Sequence, residues 1–203
     1  MFKNQKLSMI MALFFVLIAA DDIVAQKKVQ EFTVTKVIPH NAEKVWHVVG
    51  VDYGAVANSH PKIISSDYVE GTLKAGEGAE RVCYFNDKKT RLLKERMISY
   101  DPDNMTFINQ VFHADKFPVD PAYTRGIYKI EPIDENSCRF IFKMEYRTKP
   151  AFMGAFAKGK FKRLIRDYAI SIEHHVATGE KVTKDNFRKV KKLYKARQKN
   201  KKD

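Results

Sequence analysis

The sequence predicts an α+β domain of the helix-grip kind, a seven-stranded antiparallel sheet wrapped around one long C-terminal helix. Three observations carry that expectation. One strand-like run and two short helical pieces are followed by six more runs of period-two character, separated by turn-forming residues. After Pro150 the apolar period changes from two to about 3.6. A sheet of this size must bury one face, and only the C-terminal segment is long enough to cover it.

Residues 30–38 (QEFTVTKVI) alternate up to Pro39 and read as the first strand. Asn41 is a good N-cap for a helix over 42–49 that Gly50 closes, and 52–58 add a helical turn broken at His60-Pro61. Strands are expected over 63–69, 79–85, 91–100, 106–112, 123–130 and 138–147. Between them lie Gly71 with Gly76-Glu77-Gly78, Asn86-Asp87, Asp101-Pro102-Asp103-Asn104, Asp120-Pro121 and Asp134-Glu135-Asn136, all turn chemistry. In the long helix Phe161, Leu164, Ile165, Tyr168, Ile172 and Val176 form one stripe, with Lys158, Lys160, Lys162, Arg163 and Arg166 mostly off it, and the helix ends near Gly179. Phe187, Val190, Leu193 and Tyr194 recur at helical spacing beyond it.

Of 203 residues, 44 % are hydrophobic and 30 % charged, which excludes a multi-span membrane protein and wholesale disorder. The formal charge is +13, and +8 of it falls in residues 180–203, which hold 11 basic and 3 acidic side chains. Lys3 and Lys6 precede an apolar run over residues 7–20, short of the roughly 20 residues a bilayer span requires, and Asp21-Asp22-Ile23-Val24-Ala25 follows. This pattern predicts a signal peptide cleaved after Ala25 and a secreted or periplasmic protein. No cysteine lies near that site, which excludes a lipoprotein signal. The expected organisation is a signal peptide at 1–25, a domain at 26–179 and a basic amphipathic tail at 180–203. In an oxidising compartment Cys83 and Cys138 either pair or serve as two small buried hydrophobes.

The segments Pro39-His-Asn-Ala-Glu-Lys-Val-Trp46, Asp52-Tyr53-Gly54 leading to His60-Pro61, SSDYVEG at 65–71, GEGAERV at 76–82, and Lys94-Glu95-Arg96-Met97 with Tyr100-Asp101 resemble the SRPBCC group of the START-like superfamily. More narrowly, they are similar to its polyketide cyclase/dehydrase and lipid-transport branch, over residues 29–178. The resemblance implies a curved sheet around the helix, enclosing a mostly apolar cavity for a hydrophobic small molecule. Plant hormone receptors of the superfamily share a similar run at Glu95-Arg96, with the acidic residue toward the cavity. Their proline-containing gate loop has no counterpart in Phe85-Asn86-Asp87-Lys88-Lys89, which argues against a gated-receptor mechanism.

Alternation places Arg81, Cys83 and Phe85 on one face, and likewise Leu93, Glu95 and Met97; Asn109 and Val111; Tyr123 and Ile127; Phe140, Phe142, Met144 and Tyr146. The expected ligand-binding set is His60, Arg81, Glu95, Asn109, Tyr123, Met144, Tyr146 and Phe161. Arg81 and Glu95 read as groups that orient a ligand, as an acid/base pair, or as a structural ion pair; in the ligand role, Glu95 matters more for affinity than for stability. His60 reads as a residue of the cavity mouth or as a loop residue packed on the helix.

No metal site and no cofactor are expected. His174-His175 are adjacent where a helical zinc pair needs i, i+4 spacing, and His113 with Asp115 lacks a third ligand. Gly76-Glu77-Gly78 precedes a strand and reads as a hairpin turn, not a dinucleotide loop. The leading reading is an exported binding or carrier protein for a hydrophobic small molecule or lipid. The alternative is a polyketide cyclase/dehydrase-like enzyme acting on a bound carbonyl compound through Glu95, Tyr123 or Tyr146, and a third reading is an interaction protein with a self-filled core. The tail reads as a solvated helix, a contact with the domain, or a contact with an anionic membrane surface. Export argues against nucleic acid as its partner.

Overall fold

The computed structural model describes residues 29–200. The expected signal peptide lies outside them. The strands are β1 (Gln30–Ile38), β2 (Ser65–Tyr68), β3 (Glu80–Tyr84), β4 (Leu92–Asp101), β5 (Thr106–Asp115), β6 (Arg125–Asp134) and β7 (Ser137–Tyr146), and the helices α1 (Ala42–Trp46), α2 (Gly154–Thr178) and α3 (Phe187–Asn200). One antiparallel sheet has the order β1-β7-β6-β5-β4-β3-β2, so a meander from β2 to β7 is closed by β1 pairing along β7 from Gln30↔Tyr146 to Ile38↔Cys138. The 25-residue α2 crosses its concave face, as the sequence predicts.

In β1 the inward series Phe32, Val34 and Ile38 is buried, and the position between the last two holds Lys36. That lysine reaches Glu173 of α2, with Nζ 2.7 Å from Oε2, so a cation on the inward face is compensated on the spot. Asn41 caps α1 by accepting the Glu43 backbone N–H at 2.9 Å. The helix expected over 42–49 is α-helical only to Trp46, then widens into a π-turn (His47–Val51) and a 3-10 stretch (Tyr53–Asn58). These turns bury Val49, Tyr53 and Val56 beneath the sheet. In α2, Ile165, Tyr168, Ala169 and Ile172 are buried, and Gly179 ends the helix at φ +69°, a conformation glycine adopts without strain.

Three expectations need correction. The strand expected over 63–69 is only Ser65–Tyr68, because Ser66 turns its hydroxyl to the Gly54 carbonyl and ties this edge to the 3-10 stretch. The strand expected from Tyr123 begins at Arg125. Asp120 caps a 3-10 turn over Pro121–Tyr123, and Thr124 donates its hydroxyl to the Asp120 carbonyl. The inward residues of β6 are therefore Gly126, Tyr128 and Ile130, the opposite phase to Tyr123 and Ile127. Cys83 and Cys138 are both buried free thiols on β3 and β7, with β4, β5 and β6 between those strands.

The basic C-terminal segment is not a solvated appendage over its whole length. The Val182 N–H donates to the Asn58 carbonyl at 2.8 Å, and Val182 and Val190 are fully buried. Lys191 Nζ sits 2.6 Å from Asp167, and Arg197 lies 3.4 Å from Glu173. His174 and His175 both contact Glu180, through its carboxylate and its carbonyl, which fixes the corner between α2 and α3.

Candidate functional site

Between the sheet and α2 lies a cavity of about 120 Å³ walled by β3 to β7, His60, Ile63 and the inner face of α2. Six of the eight residues expected from the sequence line it: His60, Arg81, Glu95, Asn109, Met144 and Phe161. Most of the remaining wall is apolar, including Val111, Phe142 and Ile165. Two do not reach it. Tyr123 lies on the 3-10 turn outside the sheet, 38 % exposed, its ring 3.6 Å from the Arg147 guanidinium. Tyr146 points inward as its alternation requires, but beyond the cavity end: its hydroxyl donates to the Gly154 carbonyl at 2.7 Å, and Phe161 packs edge-on against its ring.

Arg81 and Glu95 are direct cross-strand partners in β3 and β4. Arg81 Nε donates to Glu95 Oε2 at 2.7 Å and Nη1 to the Tyr53 carbonyl at 2.9 Å, while the guanidinium lies 4.0 Å from the centre of the Tyr53 ring. Burial, the largest single influence, favours loss of the Arg81 proton, but Glu95 together with the smaller contributions of Tyr53, Cys83 and Tyr128 outweighs it and holds the guanidinium above its ordinary range. Cys83 Sγ also approaches Glu95 Oε2, at 3.7 Å. Burial pushes the Cys83 thiol well above its usual range, so it is a neutral side chain and not a nucleophile. Glu95 Oε1 has no hydrogen-bond partner among the described residues.

His60 is buried, packs on Tyr168 of α2 with ring centres 4.8 Å apart, and lines the cavity interior rather than its mouth. Its Nδ1 accepts the Lys62 backbone N–H at 3.1 Å, which leaves the ring proton on Nε2. Burial first, and then the nearby Arg81 charge, push its pKa down to about 3. The ring is thus a neutral N–H donor at any ordinary pH. Asn109 stands opposite Gly126 in the β5–β6 register. A Cβ at Gly126 would come within 2.7 Å of Asn109 Oδ1 and 2.9 Å of the Phe142 ring, so glycine leaves the room that both side chains occupy.

The sequence missed the mouth. The cavity shares Phe85, Phe117, Phe161 and Leu164 with an outer groove of about 820 Å³ that runs along the start of α2. Phe85 and Phe117 meet edge-on at 4.6 Å, and the Arg91 guanidinium lies 4.4 Å from the Phe117 ring. Phe117 sits in the loop after β5, where alternation carries no signal. Among the described residues no three side chains of metal-binding type come together.

An apolar space with a few convergent polar groups, set between a gripping sheet and its helix and open through the throat, is of the kind that binds hydrophobic ligands. The chain belongs to the family described as polyketide cyclase / dehydrase and lipid transport, which it matches over residues 29–172. The structure is similar to that of Ara h 8.0201 (TM-score 0.60, 19 % identity, 74 % of this chain and 99 % of that one). It is also similar to norcoclaurine synthase from Thalictrum flavum in complex with dopamine and hydroxybenzaldehyde (TM-score 0.53, 17 % identity, 73 % and 87 %). A third likeness is to the di-domain ARO/CYC protein BexL (TM-score 0.59, 15 % identity, 73 % of this chain and 46 % of that one). At these identities the likeness is one of fold. No curated protein sequence matches the chain.

Proposed function

We propose that this is an exported binding or carrier protein for a hydrophobic small molecule or lipid, held between the Arg81–Glu95 end of the cavity and the Phe85, Phe117 and Phe161 throat. The observation that carries the reading is how the polar groups of the wall are partnered. Arg81 Nε and Nη1 are taken by Glu95 and the Tyr53 carbonyl, whereas Arg81 Nη2, His60 Nε2 and Glu95 Oε1 have no hydrogen-bond partner among the described residues. Two N–H donors, the Asn109 amide and one carboxylate oxygen in an otherwise apolar wall suit an apolar body carrying a carbonyl or hydroxyl group.

Size narrows the occupant. An apolar cavity of about 150 Å³ accepts benzene, so the 120 Å³ interior matches one ring or a short branched chain, and anything longer extends through the throat into the groove. Norcoclaurine synthase, of the same fold, holds two small aromatic molecules, which supports a ring-sized occupant. The cyclase-like alternative loses two of its three candidate proton carriers, since Tyr123 is outside and the Tyr146 hydroxyl is committed to Gly154. Export rests on Lys3, Lys6, the apolar run over 7–20 and the exit at Ala25.

Native mass spectrometry of the protein purified from its producing cells tests the binding role. A retained mass, released by organic solvent and carrying an apolar body with an oxygen function, is the expected result. A protein that retains nothing and takes up no apolar compound would overturn it. N-terminal sequencing that finds Met1 in place of Gln26 would refute export.

A further inference from the structure

We infer that the outer groove at the start of α2 is a docking face for an anionic lipid bilayer. Phe152, Met153 and Phe156 are 69 %, 42 % and 78 % exposed at the turn before α2 and on its first turn, a cluster of large apolar side chains facing water. Around them the chain from 149 to 166 carries Lys149, Lys158, Lys160, Lys162, Arg163 and Arg166 and no acidic residue. Of these six only Lys149 has a carboxylate within ion-pair distance among the described residues, at 3.4 Å from Asp120. The sheet treats its cations differently: Arg96, Arg125, Lys129, Arg139 and Lys143 each face a glutamate. Exposed aromatic side chains among unpaired cations match the apolar-beneath-anionic layering of a bilayer surface.

Two further observations fix the occupant. The groove bordered by Met153, Phe156, Lys160 and Arg163 continues through Phe161 and Leu164 into the cavity, so a surface seated there lies at the mouth. A second copy of this chain would bring the same cations against themselves, which disfavours self-association through this face. The basic tail is the weaker candidate, because Val182 and Val190 are buried against the domain and Lys191 and Arg197 already face Asp167 and Glu173. Docking needs no ligand in the cavity and stands apart from the carrier reading.

Flotation of the full chain with phosphatidylcholine vesicles, and with vesicles of equal parts phosphatidylcholine and phosphatidylglycerol, tests this. The expected result is binding to the anionic vesicles alone, lost as salt rises from about 0.1 M to about 1 M and the Debye length contracts from about 10 Å to about 3 Å. Phe152→Ser/Phe156→Ser should weaken it at least about tenfold. Lys160→Glu/Arg163→Glu, both on the groove, should weaken it at least as much, each cation near an anionic surface contributing about fivefold. Lys192→Glu/Lys195→Glu on α3 should leave it unchanged. Wild-type failure to float, equal binding by the Phe152/Phe156 variant, or equal loss in the α3 variant would overturn the proposal. So would a dimer in sedimentation velocity that this Phe variant abolishes, which would assign the face to a second copy. A cooperative thermal transition near the wild-type Tm in every variant reports an intact fold.

Discussion

Arg81 and Glu95 face each other from paired positions of β3 and β4, and the 2.7 Å contact between them is the sole charge compensation of a guanidinium buried in the cavity wall, among the described residues. Removing one member of such a pair leaves a charge that low-dielectric surroundings solvate poorly. Glu95→Gln should therefore lower the unfolding free energy by about 3 kcal/mol in urea titrations. The double variant Arg81→Met/Glu95→Leu should recover most of that loss, because it removes both desolvation penalties. The expectation from sequence is that Glu95 matters more for affinity than for stability; the buried contact with Arg81 predicts a substantial stability share as well. A double variant as unstable as the single one would contradict the account.

His60 predicts a pH dependence of known sign. Its folded pKa near 3 lies below the ordinary histidine value of about 6.5, so between those values the unfolded chain binds the extra proton. Stability is lost as pH falls from about 6.5 toward about 3, with a limiting slope of about 1.4 kcal/mol per pH unit for this one group. Asp120, Glu131 and Glu145 also have lowered pKa values and add losses of the same sign, so the His60 share is read by difference. His60→Asn keeps an acceptor for the Lys62 N–H and does not titrate. Its Tm against pH profile should be flatter than that of the wild type, and parallel profiles would refute the assignment.

Truncation after Gly179 should destabilise the domain. It uncovers the surface beneath Val182 and Val190 and removes Arg197 from Glu173, leaving that buried carboxylate with Lys36 alone. Two buried valines at about 1.5–3 kcal/mol each put the loss at about 3 kcal/mol or more. Thermal unfolding of the shortened chain checks this, and an unchanged Tm would show that α3 contributes nothing.

The sheet was legible because period-two alternation survives wherever one face is buried, as in Phe140, Phe142 and Met144 against Arg139 and Lys143. The stripe of α2 was legible for the same reason at helical period. The approach to β6 was not, because Asp120, Pro121 and Thr124 build a local turn whose side-chain bonds reset the phase of the strand that follows. The polar end of the site could be read from Arg81 and Glu95 falling on inward phases of neighbouring strands. The throat could not, since Phe117 reaches Phe85 from a loop, and loop geometry leaves no periodic trace. The contact of α3 with the domain was half visible: Val190 lies on the predicted stripe, whereas Leu193 of that stripe remains 46 % exposed.

If a small apolar molecule occupies the space between Arg81–Glu95 and Phe161, a side chain that fills that space must exclude it. Val111 lines the cavity on β5, and Val111→Phe projects a ring into it, where the void lets the larger side chain be taken without the usual overpacking cost of about 1–3 kcal/mol. Binding of N-phenylnaphthylamine is measured by fluorescence titration for the wild type and this variant, alongside the Tm of each. Saturable one-site binding to the wild type is expected, lowered at least about tenfold, or about 1.4 kcal/mol, in Val111→Phe, with Tm equal or higher. Equal dye affinity in a folded Val111→Phe protein would place the bound molecule elsewhere and contradict the account.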